Sequence, residues 1–251
     1  MSKHLIPKAC LGYPNGHLCT PEEFLRRVGN DYKTKHIFPF CPECDERLIL
    51  VNPSNILKST FYKHYDLDGA IDAESIEICS LRSKKSVRQG WFCSDFDFER
   101  GKSIREAFLE QDNLCAAYCF CWSLCGKGNL SFEQFRQMLH LADKKKIWSY
   151  ANIELWMIPY MLLTLCNFQH HKGFVFHFIL HKQYKNQLNF TDIFSSGTEI
   201  QKVFTESHRL MAKSPNNPLS ITKENYLNLV KNSFFYNNQD FSAKLFQYIV
   251  G

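Results

Sequence analysis

The sequence predicts an α+β protein: a small, β-rich zinc ribbon over residues 1–90, followed by a mainly α-helical domain over 91–251. Three observations predict it. Runs rich in aromatic and β-branched residues fall at 35–40, 47–51 and 59–62, separated by turn-forming segments. Helix-capping signals replace them in the second half of the chain. Among the strand-like runs, Cys41-Pro42-Glu43-Cys44 is followed by His64 and Cys79, a soft set of ligands of the kind that Zn²⁺ binds tetrahedrally.

In chain order, residues 20–29 begin with Thr20 as N-cap, Pro21 at the first helical position and Glu23 placed to close a capping box, and they stop at Gly29. These residues predict a short helix. The three strand-like runs follow, with Pro42 suiting the turn between the two cysteines. The basic, polar stretch at 82–90, ending in Gly90, is the best linker or exposed loop of the chain. Beyond it, Ser103 predicts a cap for a helix reaching about Leu124, and Ser131 with Gln134 predicts the next helix, to about Lys145. Residues 147–166 predict one or two buried helices broken near Pro159. The run at 174–180 is strand-like without an evident partner, and helices are expected at 198–211, 222–234 and 241–249.

The residues from Phe38 to Val51 and from Ser59 to His64 resemble the amino-terminal module of the competence protein CoiA-like and related bacterial zinc-ribbon proteins. The shared pattern is a Cys-Pro-x-Cys knuckle, a hydrophobic strand, and a strand ending in aromatic-x-His. The match spans roughly residues 35–85, the size of a small module. Several members of that group carry a PD-(D/E)xK nuclease domain behind the zinc module, so the resemblance implies a role on nucleic acid.

The ligand set read from the spacing is Cys41, Cys44, His64 and Cys79, with Cys93 as the leading substitute for Cys79 and Asp66 or His36 behind it. The cofactor is Zn²⁺. A closed site of three cysteines and one histidine has no open coordination position and predicts no reaction of its own.

Composition narrows the class. With 45 % hydrophobic residues, 22 Phe and 11 Tyr, the chain is globular. Its 11 cysteines, without an apolar leader, point to free thiols and metal ligation in a reducing cytoplasm. The most apolar stretch, 153–166, contains Pro159 and is shorter than the ~20 residues a membrane span needs, so no membrane partner is expected. A net charge of +5 permits nucleic acid without requiring it. The candidate phosphate contacts are Arg82, Lys84, Lys85 and Arg88.

Other constellations read as structural. Cys115, Cys119, Cys121 and Cys125 cannot converge on one ion from a continuous helix, because the two pairs sit on faces about 120° apart. They are expected to be core cysteines. His170, His171, His177 and His181 lack a carboxylate motif. Asp95, Asp97, Glu99 and Lys102 are the nuclease candidates, but Glu99 and Lys102 are separated by two residues where the nuclease motif has one. Lys144-Lys145-Lys146 beside Trp148 and Tyr150 reads as the basic end of a helix. There is no P-loop, dinucleotide fingerprint or GxSxG elbow. The expected function is therefore a zinc-binding adaptor or binding module, acting on nucleic acid. The alternatives are a metal-dependent nuclease and an effector that binds a protein partner.

Overall fold

In the computed structural model, the described residues are 6–53, 59–65, 79, 81, 91–93, 95–183, 188–207, 209–212 and 214–251. They form antiparallel sheets and helices, an α+β architecture. The chain divides into two compact units. The first comprises Met1–Val87, Phe92–Phe96 and Lys144–Lys146; the second comprises Arg88–Trp91, Asp97–Asp143 and Ile147–Gly251.

In the first unit, strands Ala9–Leu11 (β1), Leu18–Cys19 (β2) and Pro39–Phe40 (β3) form a sheet in the order β2-β1-β3. Helix Pro21–Val28 (α1) follows β2, and its expected capping box is present: Glu23 N–H donates to Thr20 Oγ1 at 3.3 Å, and Thr20 N–H donates to Glu23 Oε2 at 2.9 Å. Strands Leu48–Val51 (β4) and Phe61–His64 (β5) pair antiparallel, with Leu48 opposite His64 and Leu50 opposite Tyr62. Alternation along a strand puts these four on one face, and all four are buried. Leu48, Leu50 and Tyr62 join Phe24, Val28, Tyr32, Cys41 and Cys79 in one core. Phe24 meets Tyr32 and Tyr62 edge-on at 5.6 and 6.3 Å, and the Tyr62 hydroxyl donates to Thr20 O at 2.9 Å.

The second unit carries helices Phe98–Phe108 (α2), Gln111–Cys125 (α3), Phe132–Lys144 (α4), Ile158–Leu163 (α5), Phe190–Ile193 (α6), Lys223–Lys231 (α7) and Gln239–Val250 (α8). The last residue of α4 is counted with the first unit. Beyond the helical domain that was expected, the second unit holds a four-stranded sheet. Strands Asn167–Gln169 (β7), Val175–Lys182 (β8), Thr198–Phe204 (β10) and Leu219–Ser220 (β11) are arranged as β11-β10-β8-β7, while Trp91–Phe92 (β6) and Leu188–Asn189 (β9) are short strands outside it. The run at 174–180 thus has two neighbours, and residues 198–204 are a strand where a helix was expected.

The expected helix from Ser103 to Leu124 is two helices. Asp97, not Ser103, caps the first, accepting from Arg100 N–H at 3.0 Å, and the chain turns extended at Glu110. The Asn113 side chain donates to Ala107 O at 2.8 Å and so satisfies a last-turn carbonyl of α2. Gly101 lets α2 approach the Ile147–Ser149 turn, since a Cβ there would fall 2.8 Å from the Ser149 Cα. Ser131 caps α4 as expected, and Thr222, expected only as the start of a helix, caps α7; they accept from Gln134 and Asn225 N–H at 3.1 Å each. Pro159 lies in the first turn of α5, where a missing N–H costs nothing, so it starts a helix and does not break one. Among the described residues, no helix is long and apolar enough to cross a membrane.

Candidate metal centre

Cys41 and Cys44 sit on a tight turn between β3 and β4. Cys41 N–H donates to Glu46 O at 2.7 Å, Asp45 N–H donates to Cys41 O at 3.1 Å, and Phe40 bridges Arg47. Asp45 takes a left-handed φ of 60°, a conformation that a short polar side chain tolerates. The Glu46 backbone N–H points at the Cys44 sulfur. His64 reaches the same place from the end of β5, on the buried face that its pairing with Leu48 dictates. Cys79 completes the group.

The ligand atoms of Cys41, Cys44, His64 and Cys79 all lie within 4.8 Å of one another. The Cys41 and Cys79 sulfurs are 3.7 Å apart, and Cys44 Sγ is 3.3 Å from His64 Nε2. Zinc bonds of about 2.3 Å to sulfur and 2.0 Å to nitrogen imply tetrahedron edges of about 3.8 and 3.5 Å. The observed spacings fit such a group, and the thiols are free, far from the ~2.05 Å of a disulfide.

Electrostatics agree with the geometry. Burial works to raise the Cys41 thiol, but hydrogen bonds from Cys44 and Cys79 and the charge of the His64 ring outweigh it, so its pKa stands well below the ordinary value. Cys44 is pushed up, chiefly by its hydrogen bond with Cys41, and Cys79 is pushed up, chiefly by burial. The nest therefore holds one thiolate readily and resists the second and third, whose charge a divalent cation would neutralise. The His64 Nδ1 is buried and has no hydrogen-bond partner among the described residues. With Nε2 facing Cys44, Nδ1 is the nitrogen left to carry the proton when Nε2 ligates.

The other expected site residues stand elsewhere. The Cys93 thiol donates to Asp95 O at 3.0 Å and is outside the cluster, and His36 is exposed. Asp66 and the basic residues Arg82, Lys84, Lys85 and Arg88 lie outside the described residues. The nuclease candidates do not converge: Asp95 pairs with Lys8 at 2.8 Å, Asp97 caps α2, and exposed Glu99 pairs with exposed Lys102 at 3.1 Å. His177 meets Thr205 Oγ1 at 3.2 Å through Nδ1, and His170 stacks on Phe174 at 4.2 Å.

The lysine run begins, as expected, at the basic end of α4, and beyond it the next two lysines make pairs that the sequence did not suggest. Buried Lys145 binds buried Glu43, the variable residue of the knuckle, at 3.1 Å; Lys146 binds Asp45, and Asn15 at 2.6 Å. Nothing in the local sequence signals these pairs, which join residues about a hundred positions apart. No family model, curated protein or solved structure matches the chain.

Proposed function

We propose that the first unit is a zinc-ribbon-type module whose metal is structural, and that the protein acts as an adaptor or binding module. The observation that carries this is the convergence of three thiols and one imidazole within 4.8 Å. Four protein ligands fill a tetrahedral shell and leave no place for an activated water, which favours a stabilising over a catalytic metal. The structural engagement of Asp95, Asp97 and Glu99 weighs in the same direction. The resemblance of the 35–85 segment to CoiA-like zinc-ribbon proteins supports nucleic acid as the partner, with Arg82, Lys84, Lys85 and Arg88 as phosphate contacts.

Elemental analysis of protein purified without chelator should find about one zinc per chain. Cobalt substitution should give the visible absorption of a tetrahedral thiolate site, which Cys44→Ser should lose. Absence of both metal and spectrum removes the proposal. Titration with single- and double-stranded DNA and RNA at low salt then distinguishes the partner classes: affinity that collapses as salt rises supports nucleic acid, and none at low salt turns the assignment to a protein partner.

A further inference from the structure

The four-stranded sheet of the second unit carries a row of rings on one face. Alternate residues of a strand share a face, and so do directly opposed residues of neighbouring strands. The register sets Phe168 opposite Phe176 and Phe176 opposite Phe204. Phe168 and Phe176 are fully buried. Towards the turn between β7 and β8 the row continues through His170, Phe174 and Phe204, each only half-buried. The His170 and Phe174 rings are stacked at 4.2 Å and 10°, and Phe174 meets Phe204 at 5.2 Å. His171, exposed at the turn, adds a ring 4.0 Å from His170 and stacks on no other ring among the described residues. The aromatic row of the core thus runs out to the surface and ends there on an uncovered ring.

Hydrogen bonds hold these rings in place. His170 N–H donates to Phe174 O and Gly173 N–H to His170 O, at 2.8 Å each, and His171 N–H donates to Asn129 Oδ1 at 3.2 Å. Lys172 N–H donates to His170 Nδ1 at 3.1 Å. A ring nitrogen that accepts carries no proton, so His170 is a neutral ring.

Cations surround the same end of the sheet. Lys172 is in the turn, Lys127 is two residues from the Asn129 that binds it, and Arg209 lies opposite Phe204, whose N–H donates to Arg209 O at 3.0 Å. All three are exposed, and none is in an ion pair among the described residues. Against them stands the exposed carboxylate of Glu206, between Phe204 and Arg209.

We propose that this end of the sheet binds single-stranded nucleic acid, with bases stacked on the His171, His170 and Phe174 rings and phosphates held by Lys127, Lys172 and Arg209. Placing a strand here rests on the nucleic-acid reading of the partner given above. Rings alone would suit any apolar partner, and cations alone any acid. Flat neutral rings set among unpaired cations match a ligand that alternates flat bases with phosphates. In a duplex the base faces are already stacked on one another, whereas a single strand offers them to the protein.

The test is fluorescence anisotropy of labelled oligothymidylate and oligouridylate titrated with the full native chain at low salt, beside a duplex and an abasic strand of equal length. The two single strands should bind more tightly than either control. His171→Ala should weaken them about tenfold and leave the abasic strand unaffected, and His171→Tyr should restore the affinity. Lys172→Ala should instead weaken every strand and lower the salt slope by about one. His171 and Lys172 are exposed at a turn, and circular dichroism checks that each variant keeps the native fold. Equal affinity for the abasic strand, or unchanged binding in both alanine variants, overturns the stacking site while the nucleic-acid reading stands. Absence of binding to any strand at low salt removes that reading, and this site with it.

Discussion

Cys10 and Cys41 are both fully buried in the first unit, yet they carry opposite chemistry. Burial takes Cys10 up to about 12 despite nearby Lys146, so it stays a thiol, whereas donors on every side pull Cys41 well down. Local donors, more than depth, decide what a buried ionisable group becomes. Lys202 shows the same rule for a cation. Its ammonium donates to Cys125 O at 3.0 Å and lies 4.7 Å from the Phe176 ring, and burial lowers its pKa although Cys125 opposes the shift. Between that lowered value and the ordinary ~10.4, the unfolded chain binds more protons than the folded one, so stability should rise with pH across this window. Lys202→Met should lack the rise. Urea midpoints of both proteins through the alkaline range should diverge in favour of the native chain, and parallel curves would mean that the ammonium is solvated.

At the scale of elements, signals confined to a few residues were legible in the sequence. The capping box of α1, the cap Ser131, and the Cys-x-x-Cys turn each depend on neighbours within four positions. His64 was legible from its spacing after the Cys-x-x-Cys turn, and the strand, expected to end at Tyr62, continues to it and turns it inward with Tyr62. What escaped depends on distant partners. In β10, Ile200 and Val203 have helix-like spacing, and Lys202 looks like a solvent position. Its ammonium instead lies over the faces of Phe176 and Phe178, a cation held against aromatic rings inside a sheet. Asp97 resembled a catalytic carboxylate and is a helix cap, because both uses ask for the same short acid just before a helix. The Glu43–Lys145 pair was illegible for a similar reason: each residue is ordinary locally, and only the fold brings them to 3.1 Å.

For the whole molecule, the two units differ in what holds them together. The second has extensive aromatic packing, with Tyr118 touching Phe132, Phe135 and Phe241, and Phe120 touching Tyr160 and Tyr226. The first has a small core into which two of the four candidate ligands, Cys41 and Cys79, are built. A structural zinc contributes about 10–16 kcal/mol at neutral pH, comparable with the whole stability of a domain at about 5–15 kcal/mol, so its removal should exceed what the first unit can supply without it. All four tryptophans, Trp91, Trp122, Trp148 and Trp156, belong to the second unit, whereas Tyr13, Tyr32, Tyr62 and Tyr65 belong to the first. Chelation should therefore expose the Cys41, Cys44 and Cys79 thiols to a colorimetric reagent and change the tyrosine signal. Tryptophan emission and most of the helical circular dichroism should persist, since among the described residues α2 to α8 lie almost wholly in the second unit. Simultaneous loss of tryptophan and thiol protection would show instead that both units unfold in one cooperative transition, with the metal stabilising the chain as a whole.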